Sequence, residues 1–204
     1  KARELIRNLN VLSAYLTRTR KSEVQDGKAI REPIQIDVEW TDVERDFYVA
    51  FEEWQKSVAK AQGYPTGFAT QMPMRLASSC LPVARDKVLQ GASFEKSEDD
   101  IDSDQVDADS RSNALSPSEE LVVLARALND TDSKFLAFEN VLRQVVADKR
   151  QALVFTFFKG TLHYLGNQLK GKFRVGFLHG DMDARSRHAV MRDFRSGDYD
   201  LVIA

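Results

Sequence analysis

Cysteine is almost absent from this sequence, and long apolar runs are missing altogether. Among 204 residues Cys80 is the one cysteine, which excludes an internal disulfide framework and a zinc site built from cysteines. No apolar run approaches the roughly 18 residues of a membrane-spanning helix, and no signal peptide is visible. We therefore expect a cytoplasmic protein with no membrane partner and no metal site.

Two motifs of nucleotide-hydrolysing enzymes are also missing. The sequence contains no glycine-rich loop of the G-x-x-x-x-G-K-[ST] kind, and no Asp-Glu pair follows an apolar strand as in a magnesium site. Nothing in the sequence pairs His179 with a nucleophile, so we reject a hydrolytic triad. On these grounds we expect no catalytic residue in this chain.

Charge is nearly balanced overall but unevenly distributed. The net charge is −2, yet residues 95–111 alone hold eight acidic and two basic side chains, so the remainder is mildly basic. Such a balance is compatible with a phosphate-backbone partner and also with many neutral proteins. The acidic stretch has almost no core-forming residues, which predicts a solvated linker over residues 95–116.

The first half of the chain is predicted to be mainly helical. Apolar spacing indicates a helix over residues 3–17, and alternation predicts a strand over 34–40 with one buried face. Thr41 and Glu44 form a capping box before a helix over 42–61. Residues 72–90 are again helical, with an interruption at Pro82. The apolar stripe of the 42–61 helix consists of Val43, Phe47, Phe51, Trp54 and Val58.

The second half changes to an α/β pattern. Two helices are predicted first, one after Ser116-Pro117-Ser118 and one starting at Asp132 or Ser133. From Gln151 the order is strand–helix–strand–helix–strand, and the first strand, 152–155, has the continuous apolar character of a fully buried parallel strand. Two successive crossovers imply a parallel sheet with helices on its faces. The chain stops inside the third strand, 201–204, so we expect truncation at both ends.

Ligands of such sheets bind beyond the carboxyl ends of the strands, which selects two loops. In the first loop, Thr156, Lys159 and Thr161 combine two hydroxyls and a cation at the start of a helix, where an anion such as a phosphate is favoured. The alternative is that Thr161 is only a helix N-cap and Lys159 a solvated side chain.

The second loop is His179-Gly180-Asp181-Met182-Asp183. Gly180 permits a turn or a close approach of another backbone, and Asp183 is suited to cap the next helix. His179 is suited to donate to a phosphate or to hold the loop together. Arg185 and Arg187 lie early on that helix, which indicates a partner, either an acid or a phosphate. The alternative is that they are surface arginines without a partner.

A basic cluster near the start of the chain is a second candidate for backbone contact. Arg18, Arg20 and Lys21 lie at the end of the first predicted helix, where they either meet phosphates or form a solvated helix end.

Residues from Gln151 onward resemble the second RecA-like lobe of superfamily-two helicases. Ala152-Leu153-Val154-Phe155-Thr156 is similar to the motif IV strand of that family. The segment from Phe177 to Met182, with Arg187 and the run Met191–Gly197, resembles the "lHGdm…R…m..Fr.G" pattern. The ordered match covers about 54 residues.

The upstream residues resemble Swi/Snf-type DNA translocases of bacteria. Tyr15–Val24 is similar to their "l.RR.K.dV" stretch, and the segment 34–48 to their "v.v.lt..q..lY" element. This resemblance divides the chain into a tail of the first RecA-like lobe (1–40), a helical interlobe segment (41–94), an acidic disordered linker (95–116) and a truncated second lobe (117–204).

The resemblance implies a partial RecA-like α/β fold and a role in an ATP-dependent motor that moves on duplex DNA without reading its sequence. ATP and Mg²⁺ are then bound by the full-length protein and not by this fragment, which we expect to be inactive alone. Thr156, Lys159, Thr161, His179, Gly180 and Asp181 are implied to contact nucleic acid, and Arg187 to be structural. A DEAD-box RNA helicase lobe and a non-catalytic interaction module remain as alternatives.

Overall fold

The structure is a computed structural model that describes residues 32–91 and 115–204. The chain divides into two compact units, Lys1–Asp37 and Val38–Ala204. The described part of the first unit, residues 32–37, has no regular secondary structure and is exposed to solvent. The predictions for residues 1–31 and 92–114, including the helix over 3–17 and most of the acidic linker, lie outside the described residues.

Within the described residues, four helices and one short helical turn precede the α/β part. They are α1 (Asp42–Ala61), α2 (Thr66–Ala69), α3 (Gln71–Ser79), α4 (Leu81–Leu89) and α5 (Glu119–Leu128).

The α/β part begins with a further helix and then alternates strands and helices. Its elements are α6 (Ser133–Ala147), β1 (Ala152–Val154), α7 (Lys159–Leu169), β2 (Val175–Phe177), α8 (Ala184–Ser196) and β3 (Leu201–Ile203). No helix within the described residues combines the length and the apolarity needed to cross a bilayer.

Helix α1 confirms its predicted bounds and its capping box. The Thr41 hydroxyl accepts a hydrogen bond from the backbone N–H of Glu44 at 3.3 Å, and the Glu44 carboxylate accepts one from the backbone N–H of Thr41 at 2.8 Å. The buried stripe is rotated from the predicted one, because Phe47 and Phe51 are buried together with Gln55 and Ala59. Val43 is exposed, and Trp54 and Val58 are only half-buried.

The helices before the α/β part share one hydrophobic core. Its fully buried members come from α1, α3, α4 and α5: Phe47, Phe51, Ala77, Leu81, Ala84, Val88, Leu121, Ala125 and Leu128. Helix α5 thus packs with the helical segment, although the predicted boundary at residue 117 assigns it to the second lobe. The predicted interruption near Pro82 is the junction of α3 and α4 at Cys80, with Pro82 in the first turn of α4, where its missing N–H costs least.

The predicted strand over residues 34–40 is wrong. These residues have no strand assignment, and Ile34 and Ile36 are 82% and 52% exposed. Alternating apolar residues allow an extended segment to bury one face. A strand also needs a neighbouring strand that accepts and donates its backbone hydrogen bonds. Among the described residues none pairs with this segment.

The sheet is parallel, with the order β1-β3-β2. Ala152 and Val175 both pair with Leu201, and Val154 and Phe177 both pair with Ile203. Helices α6 and α7 cover the face that carries these residues, and together they form the second core around Phe135, Leu142, Leu162, Leu169, Leu201 and Ile203. A parallel sheet with crossover helices and a helical region before it is a partial RecA-like α/β fold, as predicted.

Strand β1 is not the fully buried strand that its apolar run predicts. Leu153 lies beside Val202 on the second face of the sheet, yet Leu153 is 55% exposed and Val202 is 1% exposed. Phe155, which follows on the same side, is 79% exposed. The difference arises because α8 packs against β2, which lies on the far side of β3 from β1.

Candidate functional site

The loop after β1 is shaped by its own threonine. The backbone N–H of Thr156 donates to the carbonyl of Ala204 at 2.8 Å, which extends the pairing of β1 with β3. The Thr156 hydroxyl accepts from the backbone N–H of Phe158 at 3.2 Å and donates to the Phe158 carbonyl at 3.1 Å. The chain therefore turns sharply at residue 157 and enters α7 at Lys159.

The start of α7 rules out the alternative in which Thr161 is only a helix N-cap. The helix begins at Lys159 with Phe158 as the N-cap residue, so Thr161 is not the cap. Thr161 is 5% exposed, and its hydroxyl lies 3.4 Å from the hydroxyl of Ser79 on α3. A hydroxyl buried between two helices does not fit a direct contact with a backbone phosphate, so Thr161 is not part of the exposed surface at this edge of the sheet.

Lys159 reaches from the first loop to the second. Its ammonium donates to Oδ2 of Asp181 at 2.7 Å, and Nδ1 of His179 lies 3.7 Å from the same oxygen. The Lys159 side chain is 26% exposed and that of Asp181 is 64% exposed, so the pair lies at the surface. The hydrogen bond from Lys159 lowers the pKa of the Asp181 carboxyl below its ordinary value.

These three residues form the carboxyl-edge cluster: Lys159, His179 and Asp181. The cluster joins the loops after β1 and β2, although β3 lies between those two strands. A carboxylate oxygen sits where Lys159 donates its hydrogen bond. A phosphate oxygen has the same charge sign and the same acceptor chemistry as this carboxylate oxygen.

The second loop is held by Arg187 and capped by Asp183. Nε of Arg187 donates to the Met182 carbonyl at 2.9 Å, and Nη2 donates to the Gly180 carbonyl at 3.2 Å. Asp183 accepts from the backbone N–H of Ser186 at 2.7 Å, which confirms it as the N-cap of α8. Both of these hydrogen bonds are to backbone carbonyls, so Arg187 connects α8 to the loop before it. Its structural role stays a prediction.

Gly180 shows no structural need for glycine within the described residues. Its φ is not in the left-handed region, and a Cβ built on it meets no atom within 4 Å. The turn that the sequence predicts at Gly180 therefore does not depend on the absence of a side chain. Close approach of another molecule remains the prediction for this position.

The helical segment contacts the first loop through a pair that the sequence did not reveal. The guanidinium of Arg75 on α3 lies 4.4 Å from the centroid of the Phe157 ring, and Phe157 is 53% exposed. Lys134 of α6 donates to the Ser78 carbonyl at 2.9 Å nearby. No local pattern identifies Arg75, because its partner lies far away in the sequence. The predicted basic residues Arg18, Arg20 and Lys21 lie outside the described residues.

Comparison with known proteins agrees with the class that the fold indicates. Residues 133–204 match the family model of the helicase conserved C-terminal domain. This match starts at α6 and includes the whole sheet and the carboxyl-edge cluster. Residues 133–204 are thus similar to the C-terminal domain of helicases.

Two curated relatives match the chain over shorter stretches. UvrABC system protein B of Campylobacter hominis is 30% identical over 77 residues, which are 37% of this chain and 12% of that protein. ATP-dependent RNA helicase FAL1 of Meyerozyma guilliermondii is 36% identical over 55 residues, which are 26% of this chain and 14% of that protein. This chain thus spans about an eighth of the length of these relatives. No solved structure matches it significantly.

Proposed function

We propose that this chain is part of a nucleic-acid-dependent ATPase motor and that its carboxyl-edge cluster contacts the sugar-phosphate backbone. The observation behind the proposal is the 2.7 Å hydrogen bond from Lys159 to Asp181, which joins two loops that follow different strands. A polymer backbone that crosses the carboxyl edge passes both loops. The match to the helicase C-terminal domain supports the proposal that this edge belongs to a motor protein.

Each residue of the edge has a distinct part in this proposal. Lys159 binds a phosphate oxygen. This phosphate either displaces Asp181 from the Lys159 ammonium or binds the ammonium together with Asp181. His179 donates a hydrogen bond next to it, and Gly180 allows the backbone to come close. Thr156 fixes the turn that presents Lys159. Contacts of this kind position a polymer without reading its bases.

Duplex DNA is the proposed polymer. Support comes from the similarity of the upstream residues to Swi/Snf-type translocases, part of which lies in the segment Tyr15–Val24, outside the described residues. RNA is the second candidate, and the similarity to a protein named as an RNA helicase favours it. A non-catalytic interaction module is the third, and it predicts no ATP turnover at all.

ATP and Mg²⁺ belong to the same proposal but not to residues of this chain. The sequence contains no glycine-rich phosphate loop and no Asp-Glu pair after a strand. The small share of each relative that this chain spans supports a longer protein in which other segments supply those groups. We expect the chain on its own to hydrolyse no ATP.

Salt-dependent binding tests the phosphate assignment. The affinity of the chain for a short DNA duplex is measured by fluorescence anisotropy at several salt concentrations. Lys159→Gln is expected to weaken binding and to reduce the slope of log K against log salt by about 0.9, the value for one phosphate contact. Lys170→Gln is the matched control, because Lys170 is an exposed lysine at the opposite end of the same helix.

The outcomes separate the candidate functions. Equal slopes for the Lys159 and Lys170 variants would show that Lys159 does not contact a phosphate. The same measurement with RNA of equal length compares the two polymers. ATP turnover of the full-length protein with each polymer then tests the motor, and no stimulation by either polymer would favour the interaction module.

A further inference from the structure

Helix α8 carries a row of three arginines and one histidine that the carboxyl-edge cluster does not use. Arg185, His188, Arg192 and Arg195 follow one another at intervals of three, four and three residues, which places them on one face of the helix. All four are exposed, whereas the half-buried Val190 and Phe194 lie toward the opposite side. We call these four residues the α8 stripe.

The stripe is poorly compensated inside the protein. Within residues 32–91 and 115–204 its one ion pair joins Arg192 to the neighbouring Asp193 at 2.7 Å. Arg185 lies in the first turn of α8, where the helix dipole disfavours a cation. Arg192 and Arg195 are like charges three residues apart, which also destabilises a helix. Arg195, by contrast, lies in the last turn, where the helix dipole favours a cation. Arg185 therefore has neither an ion pair among the described residues nor a favourable helix dipole, so an external anion stabilises it.

The stripe is also continuous with the carboxyl-edge cluster. Helix α8 starts at Ala184, immediately after the loop that contains His179 and Asp181, and Arg187 ties the helix to the Gly180 carbonyl. From Arg185 to Arg195 the helix rises about 15 Å, the axial length of about four nucleotides of one strand at 3.4 Å each. Ala184, Ala189 and Met191 line a surface depression together with the stripe, so small or flexible side chains flank the cations.

We infer that the α8 stripe is a second nucleic-acid-binding surface, which binds backbone phosphates next to those held at the carboxyl edge. This inference rests on the proposed function, because it assigns to α8 a further length of the same polymer. A linear row of exposed guanidinium groups suits a linear row of phosphates, since each guanidinium offers a planar pair of donors. An acidic protein surface is the alternative partner. It predicts that DNA binding is unchanged when the stripe arginines are neutralised.

The test compares two charge-matched triple variants. In the stripe variant Arg185, Arg192 and Arg195 are changed to Gln, and in the control variant Arg45, Arg126 and Arg150, which are exposed arginines on other elements, are changed to Gln. Binding of a 20-base-pair duplex is measured as a function of salt. The stripe variant is expected to lose affinity at least tenfold at low salt, and its salt slope should fall by about 2 to 3. The control should keep both values.

A further variant and a second method guard against misfolding. Lysine at the same three stripe positions keeps the charge and should restore most of the salt slope. In the unmodified protein, reaction of arginines with phenylglyoxal is followed by mass spectrometry, and duplex DNA should protect Arg185, Arg192 and Arg195 but not Arg45 or Arg126.

Three results would overturn the inference. Unchanged binding of the stripe variant, with the Lys159→Gln effect preserved, rejects the stripe but leaves the proposed function in place and points to a different partner for α8. An equal loss in the control variant shows a general charge effect. Absence of binding by the unmodified chain to both DNA and RNA at low salt rejects the proposed function together with the inference.

Discussion

Glu44 and Ser133 connect the start of α1 with the start of α6 through one buried carboxylate. Oε1 of Glu44 accepts from the backbone N–H of Ser133 at 2.7 Å, and Oε2 accepts from the Ser133 hydroxyl at 2.6 Å. The same carboxylate accepts from the backbone N–H and the hydroxyl of Thr41 at 2.8 and 2.9 Å. One fully buried side chain thus satisfies donors at two helix N-termini and fixes the helical segment to the α/β part.

Glu44→Gln is expected to lower the free energy of unfolding by about 2 to 3 kcal/mol. The amide has one acceptor oxygen and turns an N–H group toward donors, so a buried hydrogen-bond set to a charged group is lost. Urea unfolding followed by circular dichroism measures the change. Glu53→Gln on the exposed side of the same helix is the control and should change stability by less than about 0.5 kcal/mol. Equal stability of both variants would contradict this role of Glu44.

The contribution of Glu44 should disappear in acid. Burial by itself raises the pKa of Glu44, but the hydrogen bonds from Ser133 and Thr41 outweigh it, and the pKa lies below its ordinary value. A carboxyl whose pKa is lower in the folded state than in the unfolded state stabilises the fold at any pH above its unfolded-state pKa, which is about 4.3. This stabilisation is lost as the pH falls through the folded-state pKa. The stability gap between the unmodified chain and Glu44→Gln should therefore be constant near neutral pH and shrink below about pH 4.3. A gap independent of pH would show that the negative charge is irrelevant.

Asp181→Asn is expected to increase the affinity for duplex DNA about three- to tenfold at low salt, because a phosphate no longer competes with an internal carboxylate for Lys159. The measurement is the same anisotropy titration. Asp183→Asn is a close control, since it removes one negative charge from the same loop, keeps the Lys159 pair and leaves a good N-cap residue. If both variants gain equally, the effect is one of net charge. Weaker binding of Asp181→Asn would contradict the competition between Asp181 and a phosphate for Lys159.

Gly166→Ala is expected to destabilise the protein by about 1 to 2 kcal/mol, despite the better helix propensity of alanine. A Cβ at Gly166 lies 2.6 Å from Cζ of the Phe177 ring, so α7 or the ring has to move. Gly67→Ala, where a Cβ meets nothing within 4 Å, is the control and should be neutral or stabilising. Thermal unfolding of the two variants gives the comparison. Adding Phe177→Leu should recover part of the loss if the ring is the obstacle.

The sequence by itself determined the local elements that depend on neighbouring residues. Thr41 and Glu44 define the start of α1, Asp183 defines the start of α8, and Gly197 at φ +87° ends it. The alternating strand–helix order also determined the parallel α/β class, because a crossover helix leaves little choice of strand direction. The helix ends rest on interactions that span a few residues, and the strand direction rests on the order of neighbouring elements, so residue spacing is sufficient to predict both.

Only the tertiary structure decided which distant groups meet. The order β1-β3-β2 brings Lys159 to Asp181, and the packing of the helical segment brings Glu44 to Ser133 and buries Thr161. Phe155 is exposed in this structure, although its apolar run predicts burial. Residues 34–40 form no strand, although their alternation predicts one. Burial and strand pairing are properties of two surfaces in contact, and a local pattern describes only one of them.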